Sequence, residues 1–544
     1  MQTIDERAIT NAPSAATCSP PGVTDPRALE AFEIRFDTAT TEAERSLPKH
    51  TTNGDEERYT DKSATYSKGL LQKGFGVVDP AAFLKFRAAL GSADGSTAET
   101  GDFEAPGLIG GGRTLNGPLA AFAFSLVGAD SRRFGDDVVP AAPALASPEY
   151  AAELIELYWG SLLRDVEFAD YDRNNLALAA AAELSSLPAY AGPRDGAGQV
   201  TTKLLFRGGA KVGNATLFPG QDVGPYLSQF CINPTMLGAQ PIDQKVVGLA
   251  PGVDYMTDLD VWQAVQNGST TNFKVHLADH RFMHDGRSLA SFTHVDELYQ
   301  AYFVAYLAMN TLKTPKNPGS PYAKLKNQNG FGTFGGPDFA ATLAAVAREA
   351  LNAVWYQKWV VHLRHRPESG GGIVHLMKTK KGTVDGTLHQ SVLDSQALHA
   401  SFNKYGSYLL SQAFPEGSPA HPAYPTGHGT VGGACITILK FFYDGNAPIP
   451  SPMTPTQQGQ TLERYDGADA SAMTVNGELH KIAHNVSFGH GIHAGIHWRS
   501  DTDASIRLGE AVAVAYLRDQ AKTYRESFKV DITLVDGTKA TIQN

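Results

Sequence analysis

Lys358-Trp359-Val360-Val361-His362-Leu363-Arg364-His365-Arg366-Pro367 ends an Ala-rich run that follows Gly336. Apolar spacing predicts a helix over about 337–363, and Pro367 forces the chain to leave it. Lys358 then lies in the helix's C-terminal half, with Arg366 at its exit. A Lys supplies a mobile point charge and an Arg a planar fork of five donors, and both suit an oxyanion. Basic residues at a helix C-terminus also simply complement its dipole. The phrase therefore gains meaning only from what accompanies it.

Two more phrases do so. In His421-Pro422-Ala423-Tyr424-Pro425-Thr426-Gly427-His428, an apolar helical run follows a Thr-Gly pair. That is a loop feeding a helix N-terminus, whose free N–H groups face an anion at close approach beside Gly427. The Thr426 hydroxyl adds a donor, and His428 in the first turn is placed for acid/base work. In His490-Gly491-Ile492-His493-Ala494-Gly495-Ile496-His497-Trp498, His490 and His497 are nearly eclipsed on a helix, and His493 and His497 are one turn apart. The i, i+4 pair alone could hold zinc, but no HExxH or cysteine ligand accompanies it.

Composition sets bounds around these phrases. The chain has 544 residues, 42% hydrophobic and 19% charged, enough for a large core. Lys+Arg 46 against Asp+Glu 56 gives a net charge of −10, which argues against nucleic acid as the partner. Cys18, Cys231 and Cys435 are three, far apart and without a CxxC, so neither a disulfide framework nor a zinc-cysteine site is suggested. No apolar run is long enough for a transmembrane helix, and the N-terminus shows no secretory signal pattern.

Residues 1–60 read as an extended or disordered arm and 91–115 as a Gly-rich surface loop. Helices are predicted over about 147–166, 172–187, 295–312, 337–363, 390–413, 427–443, 475–489 and 504–522. Period-2 alternation marks a strand at about 199–206 and a hairpin in the tail, turning at Asp536-Gly537. The fold class is mainly α with bundle packing and a small C-terminal β-hairpin. The division is an arm at 1–60, a catalytic domain at 61–525 and a hairpin tail at 526–544.

The three phrases resemble the anion pocket of vanadium-dependent haloperoxidases, shared with the phosphatidic acid phosphatase superfamily. The algal and cyanobacterial bromoperoxidase type is most similar. The likeness extends through Gly224-Pro-Tyr-Leu-Ser-Gln-Phe230, Val295-Asp-Glu-Leu-Tyr-Gln-Ala-Tyr302, Phe414-Pro-Glu-Gly-Ser-Pro419 and Asn476-Gly-Glu-Leu-His-Lys481. The eight-residue spacing from Lys358 to Arg366 and a His at 421 both match the bromoperoxidase branch.

The resemblance implies vanadate as cofactor. His497 would bond vanadium, and Lys358, Arg366, the Thr426 hydroxyl and the Gly427 N–H would hold its oxygens. His428 would pass protons, and His421 would tune the halide side. The family has Ser where this chain has Thr426. It also has a second anion-binding Arg six residues before the axial His. Here that position is Gly491, in a stretch one residue longer than the algal pattern. His490 is the replacement the spacing offers, with Arg499 a second candidate if the helix bends. An imidazole there would make vanadate retention pH-sensitive near neutrality.

The implied reaction is Lewis-acid activation of hydrogen peroxide, which oxidises halide, bromide foremost, to a hypohalous acid equivalent that halogenates an organic acceptor. Relatives of this branch form homo-oligomers, from dimers upward. Two other readings use the same residues: a phosphomonoesterase with His497 as nucleophile and His428 as acid, and a non-catalytic anion-binding or structural protein.

Overall fold

The computed structural model describes residues 22–544 apart from 92–97, 210, 213–214, 217 and 271–274; Cys18 lies outside the described residues. Its longer helices are α1 (Pro26–Glu44), α2 (Pro80–Ala89), α3 (Pro148–Leu162), α4 (Asn175–Ser186), α5 (Gln300–Thr311), α6 (Gly336–Tyr356), α7 (Pro367–Thr379), α8 (Gln396–Tyr405), α9 (Gly427–Phe442), α10 (Val475–Phe488) and α11 (Arg499–Ala521). The described strands pair only as two-stranded antiparallel hairpins. Among the described residues no helix is long and apolar enough to cross a membrane.

Helix α9 is the axis of the larger core, and all its residues are buried. It can be surrounded because its glycines admit neighbouring backbones. A Cβ on Gly433 would lie 2.0 Å from the Ile506 carbonyl, and one on Gly509 would lie 1.9 Å from that of Thr430. The α9–α11 crossing is thus a small-residue contact. The apolar faces of α5, α6 and α10 pack into the same core. A second core joins α3 and α4 to α8 and α7. Helix α7 contains Gly370, Gly371 and Gly372, which lie against Trp498, Leu410 and Trp262 with no room for a Cβ.

Two helices end in π-turns. Gln357–His362 continues α6, and Gly489–His493 continues α10. A π-turn absorbs one extra residue in a helix and rotates the next stretch of chain about the axis.

Several expectations need correction. The strand at 199–206 is instead a 3-10 turn at Thr202–Leu204, because Leu204, Leu205 and Phe206 are all buried rather than alternating. The helix at 390–413 is two pieces, Gln390–Leu393 and α8, broken at Ser395, which caps α8 through the Leu398 N–H. Within 1–60, residues 26–44 form α1, capped by Asp25 with Pro26 in its first turn. It has no fully buried residue and is tied to the body by polar contacts, among them Glu42 with Arg133 and Glu30 with Arg525. The tail hairpin, β1 (Lys529–Thr533) and β2 (Lys539–Gln543), pairs Val530 with Ile542 and Ile532 with Ala540, and these four side chains are buried. Cys231 and Cys435 are buried free thiols, pushed up by burial to about 12 for Cys231.

Candidate active site

The sequence-predicted residues converge where four elements meet: the π-turn after α6, the start of α7, the start of α9 and the turn before α11. Lys358 stands on the first π-turn and is fully buried. Its Nζ donates to the carbonyls of Pro422 (2.9 Å) and Ala423 (2.8 Å). The chain leaves that turn through Leu363 in the left-handed region and re-enters helix at Pro367, so Arg366 is the N-cap residue of α7. Arg366 Nε donates to the His421 carbonyl at 2.9 Å. The carbonyls of residues 421–423 therefore hold both cations side by side.

Neither cation has a carboxylate partner among the described residues. Burial, then the neighbouring Arg366, holds the Lys358 ammonium well below its usual range. Burial likewise lowers Arg366 to about 10, with Asp501 opposing. Two buried cations without countercharge are costly unless an anion completes the site.

The donors around them point to the same conclusion. Thr426 is the N-cap residue of α9, yet its hydroxyl caps nothing and has no partner although buried. Gly427 and His428 open the helix, so unpaired N–H groups and the positive end of the dipole sit beside that hydroxyl. Lys358, Arg366, Thr426 and the helix start together form a donor set suited to a tetrahedral oxyanion such as vanadate.

His497 supplies the lone pair. Its Nδ1 donates to Asp501 Oδ2 at 2.8 Å, which fixes the proton there and leaves Nε2 free to accept. Arg366 Nη1 donates to that Nε2 at 2.8 Å. Burial, followed by Arg366 and Lys358, keeps the ring well below its ordinary pKa and hence neutral. Such a carboxylate–imidazole pair is the arrangement that orients a metal-ligating His.

Asp501 is itself held. Its Oδ1 accepts from Arg364 at 2.8 Å, and Arg364 also bonds Glu153 at 3.0 Å and lies over Trp498. Sequence reading assigned no role to Arg364 or Asp501. The usable signal was the four-residue step from His497 to Asp501 at the start of a helix.

His428 Nε2 lies 2.8 Å from Asp296 Oδ1, which leaves Nδ1 for the pocket. Asp296 was missed too, although its segment had been singled out. The His421 ring packs against Trp355 in a tilted pair, centroids 4.8 Å apart, and Arg366 Nη2 donates to its Nδ1 at 2.9 Å. Burial, then Arg366 and Lys358, keeps His421 neutral.

His490 reaches the site from the second π-turn. Its ring stacks on His428 at 3.7 Å and lies 5.8 Å from His497. The Thr293 carbonyl, 3.1 Å from Nδ1, assigns the proton to that nitrogen. Burial, then His428 and His497, holds its pKa well below the ordinary value. As the protein is built, His490 is a neutral ring offering a lone pair at Nε2. It is not the standing cation that an Arg would be. Arg499 is absent from the site: its Nε donates to Glu156 at 2.8 Å and a second nitrogen reaches Tyr190. His493 turns away from His497 to Tyr226, at 3.1 Å, so the two do not share a ligand position.

Residues 338–526 match the family model described as the VCPO second helical-bundle domain. The chain is 32% identical to the vanadium-dependent bromoperoxidase of Corallina officinalis, over 94% of this chain and 98% of that protein. It is 33% identical to that of Ascophyllum nodosum, over 93% and 91% respectively. Among solved structures it is similar to the homohexameric vanadate-dependent bromoperoxidase AnII of Ascophyllum nodosum, with TM-score 0.87, 28% identity and coverage of 99% of this chain and 96% of that one. With the fold matched over nearly the whole chain and about a third of its residues identical to these relatives, the chain belongs to the vanadium-dependent haloperoxidases, in their bromoperoxidase branch.

Proposed function

We propose that this chain uses vanadate and hydrogen peroxide to oxidise halide, bromide foremost, to a hypohalous acid equivalent that halogenates small organic acceptors. The observation that carries the reading is the pair of buried cations, Lys358 and Arg366, without a carboxylate partner beside the unpartnered Thr426 hydroxyl. His497 Nε2 would bind vanadium. Lys358, Arg366, the Thr426 hydroxyl and the Gly427 N–H would hold the oxygens, with His490 beside them. When bound, vanadate supplies a Lewis acid that activates peroxide without changing its own oxidation state.

The protein's part is positional and electrostatic. Lys358 and Arg366 neutralise negative charge in a dry site, where each interaction gains strength. His428 holds or releases a proton at Nδ1, with Asp296 on its other nitrogen stabilising the charged ring. Asp501 keeps the His497 proton on Nδ1. His421, held neutral by burial and then by its cationic neighbours, shapes the wall beside Trp355. A homo-oligomer is part of this reading, since the Ascophyllum nodosum relative is homohexameric.

The test is bromination of monochlorodimedone with bromide and peroxide, using apo-protein with and without orthovanadate. Activity is expected only with vanadate and is expected to vanish in His497→Ala. Equal activity without vanadate, or in that variant, would refute the assignment.

A further inference from the structure

A cleft of about 460 Å³ opens away from the anion site. It lies beside Gly224-Pro225-Tyr226, a stretch the proposed reaction does not use. The second π-turn separates the two places: it presents His490 to His428 and His497, and His493 to Tyr226 in the cleft wall. The wall is aromatic. Phe168 stacks on Tyr226 at 3.9 Å with 16° between the rings, and Tyr171 and Tyr465 complete the lining.

One charged lining residue is out of balance. Arg207 is only 3% exposed, and no carboxylate among the described residues lies within salt-bridge reach of it. Its Nε donates to the Lys203 carbonyl (2.7 Å) and its Nη1 to that of Gln221 (2.6 Å), its Cζ lies 5.0 Å from the centre of the Tyr226 ring, and no hydrogen bond to a described residue engages Nη2. The other lining cation, Lys203, is already paired with Asp469 at 2.9 Å. A buried guanidinium with a free edge in an aromatic cleft calls for an anion carried on an apolar body. Glu167 and Asp172 also line the cleft, Asp172 exposed, and they disfavour multiply charged ligands.

We propose that this cleft is a binding site for an aromatic monocarboxylate, with the carboxylate on Arg207 and the ring among Phe168, Tyr171 and Tyr465. Nothing in the inference requires the halogenating reaction, so either can fail alone. The volume suits a one- or two-ring molecule.

The experiment is calorimetric titration of the full, vanadate-loaded chain with 4-hydroxybenzoate, in the absence of peroxide and halide. Saturable binding of one molecule per chain is expected. The uncharged probe 4-hydroxybenzamide should bind about tenfold more weakly or worse, the factor a lost charge-assisted hydrogen bond gives. Arg207→Gln should abolish that preference. Absence of saturation, equal affinity for the amide, or an unchanged preference in Arg207→Gln would overturn the proposal. So would displacement of the ligand by added orthovanadate, which would put it in the anion site instead. Because Arg207 also ties two loops together, Arg207→Gln is paired with Phe168→Ala, at the half-buried wall. That variant should weaken both probes, and unchanged affinity there would overturn the proposal by itself.

Discussion

At the scale of single residues, the site separates groups that hold the protein together from groups that serve only a ligand. The Thr426 hydroxyl has no protein partner. Thr426→Val keeps the shape and removes one buried unsatisfied group, so apo-protein stability should hold or rise slightly. The orthovanadate needed for half-maximal activity should increase about tenfold, as one donor to an anion is lost. Urea unfolding and a reactivation titration would check the two halves, and a matching fall in stability would show that the hydroxyl serves the fold. Asp501→Asn tests the opposite kind of residue. Asn can still accept from Arg364, but its amide would donate to His497 Nδ1 and drive the proton to Nε2, the ligating nitrogen. The orthovanadate requirement should rise about 10–100-fold, the usual cost of losing such an orienting partner. An unchanged orthovanadate requirement would exclude that role. His490 shows what a spacing argument misses: the eclipsed position was legible, but the charge was not. Burial and the neighbouring His428 keep it neutral, against the Thr293 carbonyl, and those surroundings come from other parts of the chain.

At the scale of elements, legibility followed apolar periodicity. Helices α9 and α10 were readable because their apolar residues recur at helical spacing in a buried setting. Helix α1 was hidden because it buries no residue fully, although Asp25 and Pro26 form an ordinary N-terminal signal. Helix α7 was hidden by its three glycines, whose low propensity is outweighed by the close approach of Trp262, Leu410 and Trp498. The π-turns were hidden because one inserted residue hardly disturbs an apolar pattern. Yet those turns carry Lys358 and His490, so the segments that aim the site were the least readable. The α9–α11 crossing tests how far the site depends on its elements. In Gly433→Ala the new methyl would meet the Ile506 carbonyl at 2.0 Å, backbone that cannot move aside cheaply. A loss of about 1–3 kcal/mol is expected, read as a lower urea midpoint. Because α9 carries Thr426 and α11 carries Asp501, vanadate affinity should fall with it. An unchanged midpoint would mean that the helices separate freely and that the crossing does not set the site.

At the scale of the whole molecule, burial of histidine governs the response to acid. Away from the anion site, His365, His480, His484 and His493 are all buried. Desolvation holds His365 and His493 at about 3 and His480 and His484 well below the ordinary value. Each stays neutral in the folded chain but gains a proton on unfolding once the pH drops below about 6.5. The unfolded state then binds more protons, so these four make stability fall with falling pH. Asp503 and Glu510 act in the other direction. Burial raises both to about 7, so between about pH 4 and 7 the folded chain holds protons that the unfolded chain has lost. His362, His421, His490 and His497 are held down in the same way, so stability should fall as the pH drops from about 6.5 to 5, by about 1.4 kcal/mol per pH unit for each net proton taken up on unfolding. His484 isolates one proton of that slope. It is fully buried, neither ring nitrogen has a partner, and Phe488 packs against it at 4.3 Å. His484→Leu keeps an apolar filling and removes the titration, so the slope should flatten by about 1.4 kcal/mol per pH unit while stability at pH 8 holds or rises. Unfolding midpoints measured across pH 5–8 for both proteins decide it: parallel curves would mean that His484 is already protonated in the folded chain, and that burial does not set the acid response.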